Sequence, residues 1–127
     1  MYIVVVGAGK IGAALVRWLV DADQEVAVIE QDAVRCSALE EELGSISVTG
    51  DATEIGVQAR AGAGRADIFI ATTGSDGDNM VACQLAKHRH GASRTIALVN
   101  VSGHERLFGI LGIDTTINTA DLIVGRI

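Results

Sequence analysis

Short apolar runs alternate with stretches of helical periodicity along the whole chain. The first run, Tyr2–Val6, is a continuous, largely β-branched series, as expected of a strand buried on both faces. Behind it Ile11, Ala14, Leu15, Trp18 and Leu19 recur at helical spacing. Residues 25–29 read as a second strand, and Asp32 is placed to cap a helix with Cys36, Leu39 and Leu43 on its apolar face. Residues 45–48 predict a short third strand, and Thr53 a cap for a helix running to about Ala61. The second half repeats the alternation, with strands at 67–71, 95–99 and 114–117 and helices at about 78–90 and 102–111. Asn118, with Asp121 three residues on, reads as the cap of a last helix.

Strands alternating with helices imply a parallel sheet joined by right-handed crossovers. The expected class is α/β, a Rossmann-type doubly wound sheet of about six strands in the order 3-2-1-4-5-6. The first two helices then cover one face and those after strands four and five the other. Cys36 and Cys83 fall on opposite faces, and with no CxxC spacing they read as buried free thiols of a reducing cytosol.

The 127 residues are enough for one domain, 1–127, with no internal boundary. An apolar share of 49% and a charged share of 20% describe an ordinary globular chain. A net charge of −6 gives no general attraction to nucleic acid or to an anionic membrane. Any phosphate must be held locally, by backbone amides or by a placed cation. No apolar stretch approaches the ~18 residues needed to span a bilayer, and the N-terminus has no basic segment followed by a long apolar core.

The strongest chemical signal is the segment from Val4 to Leu15, which carries GxGxxG on Gly7, Gly9 and Gly12. Gly7 permits the tight strand-to-helix turn, Gly9 lets backbone approach a pyrophosphate, and Gly12 lets the helix pack close to the sheet. The amides at the helix start, over Ala8, Gly9, Lys10 and Ile11, offer partial positive charge to an anion. The alternative is a merely structural glycine turn. Glu30 ends the second strand, where a carboxylate accepts hydrogen bonds from an adenosine ribose and repels a 2′-phosphate. NAD or ATP is therefore favoured over NADP. Lys10 either reaches a terminal phosphate or is a solvated lysine at a helix start.

Gly50, Asp51 and Ala52 follow the third strand, with Asp51 placed for the adenine edge, although turn chemistry selects the same residues. Thr72, Thr73, Asp76 and Asn79 follow the fourth strand and are candidates for the second half of a cleft. Helix capping by Asp76 or Asp78 is the rival account. His88 and His90 face different directions on a helix and His104 stands alone, so no metal site and no catalytic constellation is expected.

Together, GAGKIG, the acidic strand end in VIEQD, GDAT, ATTGSDGDNMVACQLAK and LGIDTTINTADLIV resemble the N-terminal subdomain of RCK domains, also called KTN or TrkA-N domains. The resemblance covers essentially the whole chain. It implies a regulator of potassium channels and transporters. Such regulators bind NAD(H), ATP or ADP in the Rossmann cleft, assemble as dimers or rings, and pass ligand-dependent movement to a membrane pore from its cytoplasmic side. Carried over, the three glycines contact phosphates, Lys10 matches a basic turn position, Glu30 meets ribose and Asp51 the adenine end. Members commonly carry a proline near the start of the last helix, and this chain has none. The chain also ends where a crossover helix and a C-terminal subdomain usually follow, so its last helix reads as truncated.

The expectation is a non-enzymatic nucleotide-sensing subunit. The rivals are the cofactor half of an NAD-dependent dehydrogenase and an interaction module unrelated to ion transport. The consecutive apolar residues Leu122, Ile123 and Val124, with Leu107, Phe108 and Leu111 before them, predict at least a dimer.

Overall fold

The computed structural model describes the backbone of residues 1–124 and the side chains of residues 1–121. Strand β1 (Tyr2–Val6) lies inside a parallel sheet because its run of branched apolar side chains can fill both faces. Around it stand β2 (Glu25–Glu30), β3 (Ser47–Thr49), β4 (Ile68–Ala71), β5 (Thr95–Val99) and β6 (Thr115–Asn118). The order is β3-β2-β1-β4-β5-β6, the doubly wound arrangement expected from the sequence. Val5 is in register with Val28 on β2, and Val4 with Phe69 on β4.

Successive strand side chains serve opposite layers. Ile3, Val5, Val26 and Val28 pack under α1 (Lys10–Asp21) and α2 (Ala33–Leu43). Val4, Val6, Ile29 and Phe69 pack under α3 (Ile55–Arg60), α4 (Asp76–Leu85) and α5 (Glu105–Ile110). Cys36 and Cys83 are buried free thiols. Burial pushes the Cys83 thiol up to about 12, so it stays protonated.

Several boundaries differ from those read along the chain. Gly44, at a φ of +89°, ends α2, and β3 begins only at Ser47. Thr53 does not cap α3. Its hydroxyl donates to Asp51 instead, and α3 starts two residues later without a side-chain cap. Helix α4 begins at Asp76, with the Ser75 hydroxyl accepting from the Asp78 amide. It continues as a π-helical turn, Ala86–His90, which aims the Lys87 amine at the Gly112 carbonyl and at Asp114. Helix α5 begins at Glu105 rather than 102, and α6 (Thr119–Val124) is capped by Asn118 as expected. The side chains of Leu122, Ile123 and Val124 lie outside the described residues.

Two aromatic expectations change places. Trp18, part of the helical recurrence, is 67% exposed, and Ile11 is exposed with it. The buried positions of α1 are Gly12, Val16 and Leu19, and this rotation is set by the contact of Gly12 with the turn after β1. Trp18 is two residues, about 200°, around from Val16 and faces away. Phe108, expected at an intersubunit surface, is instead 1% exposed in the core beneath α5. Phe108→Ala should therefore cost about 3–5 kcal/mol, whereas Trp18→Ala should stay within about 0.5 kcal/mol. Urea unfolding of the two variants measures both, and the reverse ranking would contradict this packing.

Candidate functional site

The strands end on one rim of the sheet, and the turns after β1, β2, β3 and β4 enclose an open cleft of about 260 Å³ there. Its walls come from Gly7 and Gly9 after β1, Glu30, Gln31 and Arg35 around the end of β2, Gly50 to Thr53 after β3, and Thr72, Thr73, Gly74 and Asp78 after β4. A cleft beyond the carboxyl ends of the strands, where the sheet's order reverses, is the usual ligand position in an open α/β sheet.

The three glycines do different work. Gly7 has a φ of +97°, a conformation side chains rarely adopt. A Cβ on Gly12 would overlap the Gly7 carbonyl oxygen, so α1 can approach the turn only without one. Gly9 is under neither demand. Its φ is −73°, and a Cβ there would meet only the Arg35 guanidinium, at 3.9 Å. The fold needs the first and third glycines. Nothing in the described protein needs the second, which faces the cleft.

Glu30 is buried, 8% exposed, not an open strand-end carboxylate. Its Oε1 accepts from the Ala8 amide at 2.7 Å, and its Oε2 from the Asp32 amide at 2.8 Å. A carboxylate has about four lone-pair sites, so it keeps capacity toward the cleft while fixing both turns. Asp51 accepts from the amide and hydroxyl of Thr53, and these bonds, the amide's first, hold its carboxyl below the usual range. Ala52 is buried, and its carbonyl accepts from Gln58, which also donates to Ala82 on α4. Thr72 donates to the Val6 carbonyl at 2.8 Å and so binds the end of β4 to that of β1.

Two candidates serve the scaffold rather than the cleft. Asn79 is fully buried. It accepts from the Thr73 amide and hydroxyl and donates to the carbonyls of Thr73 and Leu98. Asp76 turns toward the loop after β5, where it accepts from the Asn100 and Val101 amides and pairs with His104 at 2.8 Å. Burial alone would push the Asp76 carboxyl up. The bonds from the Asn100 amide, His104 and the Val101 amide outweigh it and hold the group below the ordinary carboxylate value. Lys10 and Ile11 are exposed and stand outside the lining. Arg35, which was not singled out in the sequence, is inside it. Its one sequence signal is a cation in the first turn of a helix, where the helix dipole disfavours it. Among the described residues, no group of three or more His, Cys, Asp or Glu is placed to hold a metal ion.

The TrkA-N domain model matches residues 3–119. The Trk system potassium uptake protein TrkA homologue of Pyrococcus abyssi is 37% identical over 108 residues, which cover 85% of this chain and 48% of that one. The chain thus spans about half that relative's length. The TrkA-N domain of the inner membrane protein ybaL from Escherichia coli superposes with a TM-score of 0.92 at 21% identity, covering 98% of this chain and 92% of that one. The GsuK channel bound to NAD gives a TM-score of 0.81 at 26% identity, over 91% of this chain and 21% of the channel. GsuK bound to ADP gives 0.81 at 26% identity, over 98% of this chain and 32% of that one.

The glycines separate in a stability measurement. Gly12→Ala should cost about 3 kcal/mol or more, because the added Cβ meets backbone. Gly9→Ala should change stability by less than about 1 kcal/mol. Asp76 supplies a pH signature. Its lowered folded pKa contributes stability above the ordinary carboxylate range that is lost as pH falls through the folded value. Asp76→Asn should therefore be less stable at neutral pH and show a shallower acid decline. Equal slopes for variant and parent in acid titrations of unfolding would contradict this.

Proposed function

The chain belongs to the TrkA-N domain family, and on that premise we propose that it is the nucleotide-binding lobe of a regulator of potassium movement through a membrane channel or transporter. The observation that carries the nucleotide half is Gly9. It is a bare residue that neither backbone conformation nor packing requires, and it faces a cleft at the start of α1. A pyrophosphate resting there explains the missing side chain. The potassium half rests on the relatives, which are named potassium uptake proteins, and on the GsuK channel.

In this reading the amides from Gly7 through Gly12 hold phosphate, Glu30 accepts from ribose, and Gly50, Asp51 and Ala52 flank the adenine. Thr72 and Thr73 line the remaining half. The ligand is NAD or NADH, with ATP or ADP as the alternative, and GsuK structures hold NAD and ADP. The lobe senses the ligand and does not turn it over. It acts on the cytoplasmic side of its pore partner, and 1–127 is one domain. Different nucleotides favour different packings of neighbouring lobes and shift an existing equilibrium. Assembly is at least dimeric, and Leu107 and Ile110, both exposed on α5, supply apolar area. Among the described residues, no helix is long and apolar enough to cross a membrane.

Calorimetry with NAD, NADH, ATP, ADP and NADP tests the binding. NADP should bind at least about tenfold more weakly than NAD, a difference of about 1.4 kcal/mol, because Glu30 faces its 2′-phosphate. Equal affinities would remove Glu30 from the ribose site, and no binding of any of the five would overturn the nucleotide reading. Gly9→Val should fold and lose binding. A strain lacking the gene should show an altered potassium requirement for growth, and an unaltered one would overturn the potassium half.

A further inference from the structure

The cleft's charges are unbalanced for a ligand that carries phosphate. Glu30, Asp51 and Asp78 line it, and among the described lining residues the one cation is Arg35. Its side chain is 55% exposed, and the guanidinium is held loosely, 3.8 Å from Glu30 and 4.0 Å from Asp32. Neither contact is a hydrogen bond. Among the described residues its five side-chain N–H groups have no hydrogen-bond acceptor, so they remain available to a ligand.

Position adds a second argument. Arg35 is the third residue of α2, whose first turn carries no acidic side chain. A cation there opposes the helix dipole. Glu30 and Asp32 offset this only from 3.8 Å and 4.0 Å, without a hydrogen bond, and an anion in the cleft would give the fork a closer partner. The anion's place follows from Gly9, because the bare face of Gly9 looks at Nη1 of Arg35. A phosphate on that face would lie between the start of α1 and the guanidinium, with backbone amides on one side and a planar fork of donors on the other.

Building on the nucleotide reading above, we propose that Arg35, rather than Lys10, is the side chain that grips the nucleotide's phosphates across the glycine turn. The fork swings from its loose contacts with Glu30 and Asp32 onto a non-bridging phosphate oxygen. Glu30 then remains with the Ala8 and Asp32 amides and the ribose. The affinity that phosphates add to adenosine therefore depends on Arg35.

The test is the ratio of adenosine to ADP dissociation constants, measured by calorimetry on the parent chain and on Arg35→Met, Arg35→Lys and Lys10→Met. The parent should bind ADP at least tenfold more tightly than adenosine. Arg35→Met should shrink that ratio at least fivefold while the adenosine constant moves less than twofold, and Arg35→Lys should keep part of it. A general loss of structure would weaken both ligands together and leave the ratio in place. An unchanged ratio in Arg35→Met, or a ratio lost in Lys10→Met alone, would overturn the assignment. A parent chain that binds neither ligand, nor NAD, would overturn the nucleotide reading itself and this assignment with it.

Discussion

One buried carboxylate fixes the geometry of the rim. Glu30 ends β2 and accepts the amide of Ala8 with one oxygen and that of Asp32 with the other. The first amide belongs to the turn that opens α1, the second to the turn that opens α2. Two helix starts are thereby set side by side from a single strand end. The Glu30 backbone adds a third tie, its carbonyl accepting from Gly50 after β3. Charge-assisted bonds to a buried acceptor are among the stronger interactions available to a chain. A side chain that cannot accept here would leave the Ala8 and Asp32 amides without their acceptor and disturb the turns after β1 and β2, while the backbone tie to Gly50 would stay.

The wall after β4 is built differently, around the neutral amide of Asn79 and the hydroxyls of Thr72 and Thr73, with the Asp76 carboxylate behind them. Asn79 ties the Thr73 segment to the end of β5, and Asp76 carries the tie onward to the loop that precedes α5. This explains a motif whose polar residues look like ligand contacts in the sequence. Asp76 and Asn79 sit at helical spacing on the start of α4, but the helix presents them to β5 and its following loop, not to the cleft. Thr72, Thr73 and Asp78 are what remains for a ligand.

Sheet order, the two core layers and the role of Gly12 follow from hydrophobic alternation and the glycine spacing, because those patterns are local and periodic. What escaped the sequence depends on rotation and reach. The exposure of Trp18 follows from how closely α1 approaches the Gly7 turn, which no periodicity reports. The burial of Phe108 depends on where α5 crosses the sheet after a connection that begins it three residues later than its apolar pattern suggests. Arg35 carries no local signal of its place, which lies in facing Gly9, twenty-six residues earlier in the chain. Thr53 bonds Asp51 and leaves α3 uncapped, because a threonine before a helix serves equally well as a cap or as a donor to the preceding aspartate.

The cross-ties behind Thr73 have a thermodynamic consequence. Backbone fixed by hydrogen bonds in the folded chain has already lost its conformational freedom. A ligand that settles on Thr72 and Thr73 therefore orders little on that side. On the opposite side the Arg35 side chain is half in solvent and, among the described residues, donates no hydrogen bond, and immobilising such a side chain costs about 0.5–1.5 kcal/mol. The cleft thus has one rigid wall and one adjustable wall. In the proposed reading, nucleotides of different length share their adenosine and phosphates on the adjustable side and differ in how far they extend along the rigid one, where little backbone is left to order.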